Sequence, residues 1–253
     1  MSLLLAKIVL TPAIMYLTSA AGRRWGPGVS GWLTGLPMLA GPISIFICIE
    51  QGTAFAAQAA GTTLLGMWGS CAFCFAYQRT ARFGWSVAVL AAAGAYALAA
   101  LILRHANPSP WIGLAGVYGG AAFCLATMGS TAAKSRQFIA PAWDMPLRLG
   151  ISAAFVLLQT GIAGWLGPQL SGLFTPFPIV VTLLTAFAHH QLGIDSALRL
   201  QRGFLIGMYA FGSFFLMAAL TLDRLGAIAA YSLALALCLG INGATLWGLR
   251  KGL

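Results

Sequence analysis

The sequence predicts an all-α, polytopic helical membrane protein with nine transmembrane helices arranged as inverted 4+1+4 repeats. Three observations carry this reading: an apolar composition nearly free of charge, a stretch that occurs twice at a fixed offset, and basic residues gathered into alternate loops.

Composition comes first. Of 253 residues, 60% are hydrophobic and 7% are charged, against about 25% charged in an ordinary globular domain. Mean hydropathy is +0.88. Apolar runs of roughly 20 residues span the hydrocarbon core as helices, because lipid offers backbone groups no partner outside the segment. Nine such runs are expected, over about 3–21, 30–49, 55–77, 84–103, 111–129, 148–165, 171–188, 202–222 and 226–248. The formal charge of +10 would suggest nucleic acid in a soluble protein. Here it sits in short loops and reads as a topology signal, so no nucleic-acid partner is expected. The first run ends near Thr18, Ser19, Ala20 and Ala21 and so looks like a signal peptide. Its nearby basic residues Arg23 and Arg24 follow rather than precede it, so it is expected to remain uncleaved.

The duplication is the second observation. Gly26, Pro27, Ser30, Gly31, Thr34 and Pro37 recur 141 residues later as Gly167, Pro168, Ser171, Gly172, Thr175 and Pro178. The register continues through Phe46, Gly52, Ala56, Leu64, Gly66, Met67 and Phe73, which meet Phe187, Gly193, Ala197, Leu205, Gly207, Met208 and Phe214. Matched Gly, Pro, Ser and Thr weigh more than Leu and Ala, which coincide by chance in apolar chains. The domain plan is therefore a first four-helix repeat (1–106), a linker with a joining transmembrane helix (107–144) and a second, inverted repeat (145–253). Small residues Gly116, Gly119 and Gly120 suit the joining helix to close contact with both.

Loop charge is the third. Arg23, Arg24, Arg79, Arg82, Lys134, Arg136, Arg148, Arg199, Arg202, Arg250 and Lys251 fall in one alternating set of loops, leaving Lys7, Arg104 and Arg224 in the other. The positive-inside rule then places the N-terminus outside and the C-terminus in the cytoplasm. An odd number of spans separates the repeats, so they enter the membrane from opposite sides, a recurring device of secondary transporters.

Residues for function follow from the same frame. Pro37 and Pro178 interrupt the second and seventh runs, each lacking an N–H and crowding the preceding turn. The freed carbonyls should face protein or a polar pathway rather than lipid. Ser30, Thr34, Ser171 and Thr175 stand just before the breaks, placed either to satisfy loosened backbone or to contact a solute. Lys7 and Arg148 head equivalent runs, where they either snorkel to the interface or guard the mouths of a pathway and attract an anion or polar head group. Glu50 and His190 end the two broken runs and are candidates for proton coupling, His being the side chain whose ordinary pKa lies near physiological pH.

Chemical motifs are missing. No metal-binding H-E-x-x-H, nucleophile elbow or nucleotide loop occurs. Cys71 and Cys74 lie inside an apolar run and read as small helix residues. His189 and His190 diverge by about 100° on a helix and do not form a metal pair. No catalytic residue, cofactor or metal is expected, and an enzyme acting on lipid head groups through His190 or Glu50 is the least favoured reading.

The segment from Arg148 to about Arg250 resembles the small four-helix bacterial inner-membrane proteins of the GlpM-like type. The likeness rests on Arg148 opening the first helix, on Ser171-Gly172-Leu173-Phe174 leading to Phe177-Pro178, and on the Gly193 to Arg199 link. The first half matches through Lys7, Ser30-Gly31, Leu36-Pro37 and Gly52 but has Gln58 where the second has Arg199. The resemblance implies a tandem duplication of such a unit, a bacterial inner-membrane location and no particular substrate. Expectation settles on a small secondary transporter or permease for a polar, anionic or lipid-like solute, with membrane lipids as partners and the chain acting as monomer or homodimer. The alternative is a non-transporting scaffold or accessory subunit in envelope biogenesis.

Overall fold

Single glycines punctuate the chain. Gly52, Gly84, Gly193 and Gly226 each adopt a positive φ, between 75° and 105°, a region costly for any residue with a Cβ. At each of them one helix stops and the next starts at once, or a long helix breaks. In this computed structural model the described residues are 27–34, 36–38, 40–129 and 144–251, with Val9, Ala13, Tyr16, Ala20 and Arg24 described singly.

The elements are α1 (Pro27–Thr34), α2 (Ala40–Gln51), α3 (Thr53–Thr80), a 3₁₀ turn (Ala81–Phe83), α4 (Trp85–Leu103), α5 (Pro110–Thr127), α6 (Asp144–Phe174, broken at Gly167), α7 (Ile179–Leu192) and α8 (Ile194–Lys251, broken at Gly226). All regular structure among the described residues is helical.

The expectation of nine membrane-crossing helices is not met. Among the described residues four helices are long and apolar enough to cross a membrane: Thr53–Phe83, Trp85–Leu103, Pro110–Thr127 and Ile194–Thr245. A fifth is reached only if Leu149–Phe155 and Thr160–Phe174, bent by 59°, count as one span. The physical reasons are local. Proline breaks leave α2 and α7 with 12 and 14 residues, about 18 and 21 Å of helix at 1.5 Å per residue, short of a hydrocarbon core of about 30 Å. The runs at 202–222 and 226–248 belong to one element, and the run at 3–21 lies outside the described residues apart from Val9, Ala13, Tyr16 and Ala20. What stands is an all-helical chain with several apolar helices of membrane length, the architecture of a multi-pass membrane protein.

Burial sorts these helices into inner and outer. The apolar stretch of α3 is 72% buried inside the protein, whereas those of α4 and α5 are 17% and 22% buried. Outward faces carry Leu90, Leu98, Leu101 and Ile102 on α4, Trp111, Ile112 and Phe123 on α5, and Ile228 and Leu239 on α8. An apolar surface this extensive would be a liability in water and is the expected lipid face of a membrane helix. Lipid contact is thus a property of the outer helices.

Helix α3 is the hub, packed against α4, α5, α6 and α8. Glycines set how near its neighbours come. A Cβ on Gly66 would lie 2.5 Å from the Leu173 carbonyl oxygen, and one on Gly172 would overlap Thr62 and the Ala59 carbonyl. Joining helix α5 lays Gly113, Gly116 and Gly120 over Leu64, Trp68 and Cys71 of α3, and the Trp68 indole N–H donates to the Gly113 carbonyl at 2.9 Å. Its other side meets α8, where the Tyr118 hydroxyl donates to the Tyr209 carbonyl at 3.1 Å and pairs with Ser213 at 2.6 Å. One helix thereby bridges the two repeated segments.

Replacing Gly66 by Val is expected to destabilise the fold by roughly 3 kcal/mol, the upper part of the usual overpacking range. Gly94→Ala, at a position open to space, should leave the melting temperature in detergent unchanged or slightly raised. A harmless Gly66→Val would contradict the close α3–α6 approach.

Candidate functional site

The two proline breaks are built alike, bond for bond. In the first, the Leu36 amide donates to Leu33 O (3.1 Å), Met38 to Leu36 O (2.7 Å) and Gly41 to Pro37 O (2.7 Å). In the second, Phe177 donates to Phe174 O (3.0 Å), Ile179 to Phe177 O (2.8 Å) and Thr182 to Pro178 O (2.8 Å). Every donor and acceptor matches at the offset of 141. The i to i+2 bond around Pro178, with φ −82° and ψ 56°, is an inverse γ-turn, a conformation that proline's fixed φ favours.

A turn this tight strands carbonyls, and side chains from the opposite half claim them. The Tyr96 hydroxyl donates to the Leu173 carbonyl at 2.6 Å, and the Ser70 hydroxyl to that of Pro176 at 2.8 Å. The Thr62 hydroxyl reaches the Pro168 carbonyl at 3.2 Å. Tyr96 is buried, and its ring also meets Phe177 edge-on at 4.9 Å. The second break is therefore held in protein by α3 and α4 of the first half.

Packing in the other direction is comparable. The first half's α1 and α2 lie against the second half's α8: the Trp32 indole N–H reaches Thr245 Oγ1 at 3.4 Å, and the Tyr231 and Ser44 hydroxyls sit 2.8 Å apart. The second half's α7 returns the contact, its His189 Nδ1 3.0 Å from the Tyr77 hydroxyl on α3 and its His190 ring edge-on to Trp85 on α4 at 6.0 Å.

Between the breaks lies a cavity, part of it open to the surroundings. Its lining repeats with the chain. Thr34 and Thr175, Leu36 and Phe177, Met38 and Ile179, Ala40 and Val181, Met67 and Met208, and Ser70 and Phe211 all line it as pairs 141 residues apart. The walls are mostly hydrocarbon, aromatic ring and thioether, with Thr34, Ser70 and Thr175 also among them, and no charged residue is among the described residues lining it. A site of this character suits a small molecule that is mostly apolar.

The sequence-derived residues divide accordingly. Thr34, Thr175 and Pro178 line the cavity, and Pro37 is buried in the turn beside it. Ser171 is fully buried away from the cavity, donating to the Ala163 carbonyl at 3.2 Å. The Thr175 hydroxyl donates at 2.7 Å to the Ser171 carbonyl, which also accepts the Thr175 amide at 3.1 Å, so both hydroxyls are turned to backbone. Ser30 and Arg148 are placed on α1 and α6, their side chains outside the described residues, and Lys7 lies outside them altogether. Glu50 and His190 are exposed at the ends of α2 and α7, and neither lines the cavity. Met67, Met208, Phe204 and Ser70 were invisible to sequence reasoning as site residues. The duplicated Met67–Met208 pair was the signal that could have found two of them.

These features define a multi-pass helical membrane protein with an internal cavity shared by two repeated segments. Compared with protein-family models, with curated proteins and with solved structures, the chain matches none.

Tyr96→Phe keeps the ring but strips the Leu173 carbonyl of its donor, and should cost about 1–3 kcal/mol. Thermal unfolding in detergent against Tyr16→Phe, whose parent residue is exposed, measures the difference.

Proposed function

We infer that this protein is a small membrane carrier or permease, and that the cavity between the proline breaks receives its solute. The observation that supports the reading most is the paired lining. A cavity walled by equivalent residues from two halves can be opened alternately by rocking one half against the other about a fixed site. In this proposal the halves thread the membrane in opposite senses, with the basic links on the cytoplasmic side and the N-terminus outside. The GlpM-like resemblance makes a bacterial inner membrane the proposed location.

The lining narrows the solute. A bare ion or a strongly charged metabolite would lose its hydration in this cavity without gaining a partner, at a cost of several kcal/mol or more. The carbonyls of Leu173 and Pro176 are already taken by Tyr96 and Ser70, which removes two acceptors from any cation path. Within the expected range of polar, anionic and lipid-like solutes, the lipid-like end fits the walls.

Reconstituted in vesicles, the protein should equilibrate a fluorescent amphiphile across the bilayer faster than empty vesicles do. Met208→Trp, which fills the cavity, should abolish at least nine-tenths of that rate while the protein still elutes as a folded species. Absence of flux across a panel of amphiphiles would falsify the carrier reading. Orientation has its own check. With the native cysteines replaced by Ala, Gln51→Cys and Leu192→Cys, beside the Gly52 and Gly193 turns, should react with an impermeant thiol reagent from opposite sides.

A further inference from the structure

Among the described residues, two fully buried polar side chains of the second half have no partner. Thr185 Oγ1 on α7 and both Nε2 and Oε1 of Gln201 on α8 are unpaired, and each residue is 0% exposed. Buried amides and hydroxyls are nearly always hydrogen-bonded, so a partner beyond the described residues, such as a water or a bound molecule, is expected. Their positions point to where that group enters. Gln201 precedes Phe204 by three residues and Met208 by seven, and Thr185 follows Val181 by four; Phe204, Met208 and Val181 all line the cavity. Helical spacing puts each polar residue on the same side of its helix as these wall residues, one turn further on and behind the lining itself. They also stand eight residues either side of the Gly193 turn, beyond which α7 and α8 pack together.

We propose that the cavity binds an uncharged amphiphile, its apolar chain between Met67 and Met208 and its hydroxyl-bearing head hydrogen-bonded by Thr185 and Gln201. This rests on the reading of the cavity as the solute site and names the class of solute. The head is neutral because a carboxamide and a hydroxyl donate and accept without compensating charge. Of the cations on α8, Arg199 donates through Nη2 to Ser196, and Arg202 through Nη2 to the carbonyls of Met128 and Gly129, its Nε buried without a partner among the described residues. The head site belongs to one half only. The counterparts of Gln201 and Thr185 are Ala60, which has no polar group, and Ser44, whose hydroxyl is engaged by Tyr231 at 2.8 Å. An otherwise repeated cavity therefore gains a polar end and holds its ligand in one orientation.

The test is equilibrium binding to the purified full chain in lipid nanodiscs, with 1-decanoylglycerol as probe and decanoate and decane as comparators. The native protein should bind decanoylglycerol saturably and in preference to both comparators. Gln201→Leu, which replaces the unpaired amide with hydrocarbon of similar size, should melt no lower than the native protein yet bind the probe at least about tenfold more weakly. Thr185→Val should weaken binding in the same sense. Equal binding by native and Gln201→Leu protein, or a preference for decanoate or decane, overturns the assignment, the first result meaning that water alone fills the polar end. Head-selective binding without flux would leave this assignment standing and remove the carrier reading. Flux of decanoylglycerol indifferent to Gln201→Leu would do the reverse.

Discussion

The structure depends on one close approach: the end of α6 against α3, backbone to backbone, at Gly66 and Gly172. A methyl group at either position would collide with main-chain atoms of the other helix. That proximity places Tyr96 and Ser70 within reach of carbonyls that the Pro178 turn strands. Without those donors the turn would carry unpaired carbonyls in an apolar setting, each costing about 1–3 kcal/mol. The glycines allow the contact, the contact satisfies the turn, and the turn opens one wall of the cavity.

Recurrence of the same pattern in the sequence suits this arrangement. A proline-centred γ-turn must be buried in protein rather than exposed to lipid, because lipid supplies no hydrogen bonds. The second half's break is received by α3 and α4 of the first, while α1 and α2 of the first lie on α8 of the second. The cavity is the space left between the two turns, so its walls repeat as the chain does. Divergence then appears where the halves are asked to differ. Ser70 braces a carbonyl, whereas its counterpart Phe211 supplies only ring surface to the cavity. Gln201 brings an amide where the first half has Ala60.

Helix α5 acts differently from the repeats. Its glycine face fits onto α3 while Tyr118 reaches α8, so a segment with no counterpart clamps the hub of each half. Small residues permit such contact in a membrane, where burial of apolar surface gives helices little reason to associate and packing must supply it. The opposite face carries Trp111, Ile112 and Phe123 outward, which suits the boundary with lipid.

Much was legible before the fold. Composition alone announced membrane helices, and Pro37 and Pro178 marked the two breaks; Gly52 and its counterpart Gly193, matched in the sequence, fall at helix junctions with positive φ. These are local properties, fixed by a residue's own backbone limits and its neighbours' hydropathy. The count of crossings failed for a related reason: hydropathy runs through a proline turn that halves the helix, so an apolar stretch of span length became α7, too short to cross. Nothing local could tell that Tyr96 serves Leu173, 77 residues away, or that Ser70 serves Pro176, 106 residues away. Nor could it show that Met67 and Met208 face one cavity. Sequence by itself determined which segments are helical, where they break and that the pattern occurs twice. The tertiary structure decided which groups satisfy the breaks and what space lies between them, because hydrogen bonds and cavities are made by residues that only folding brings together.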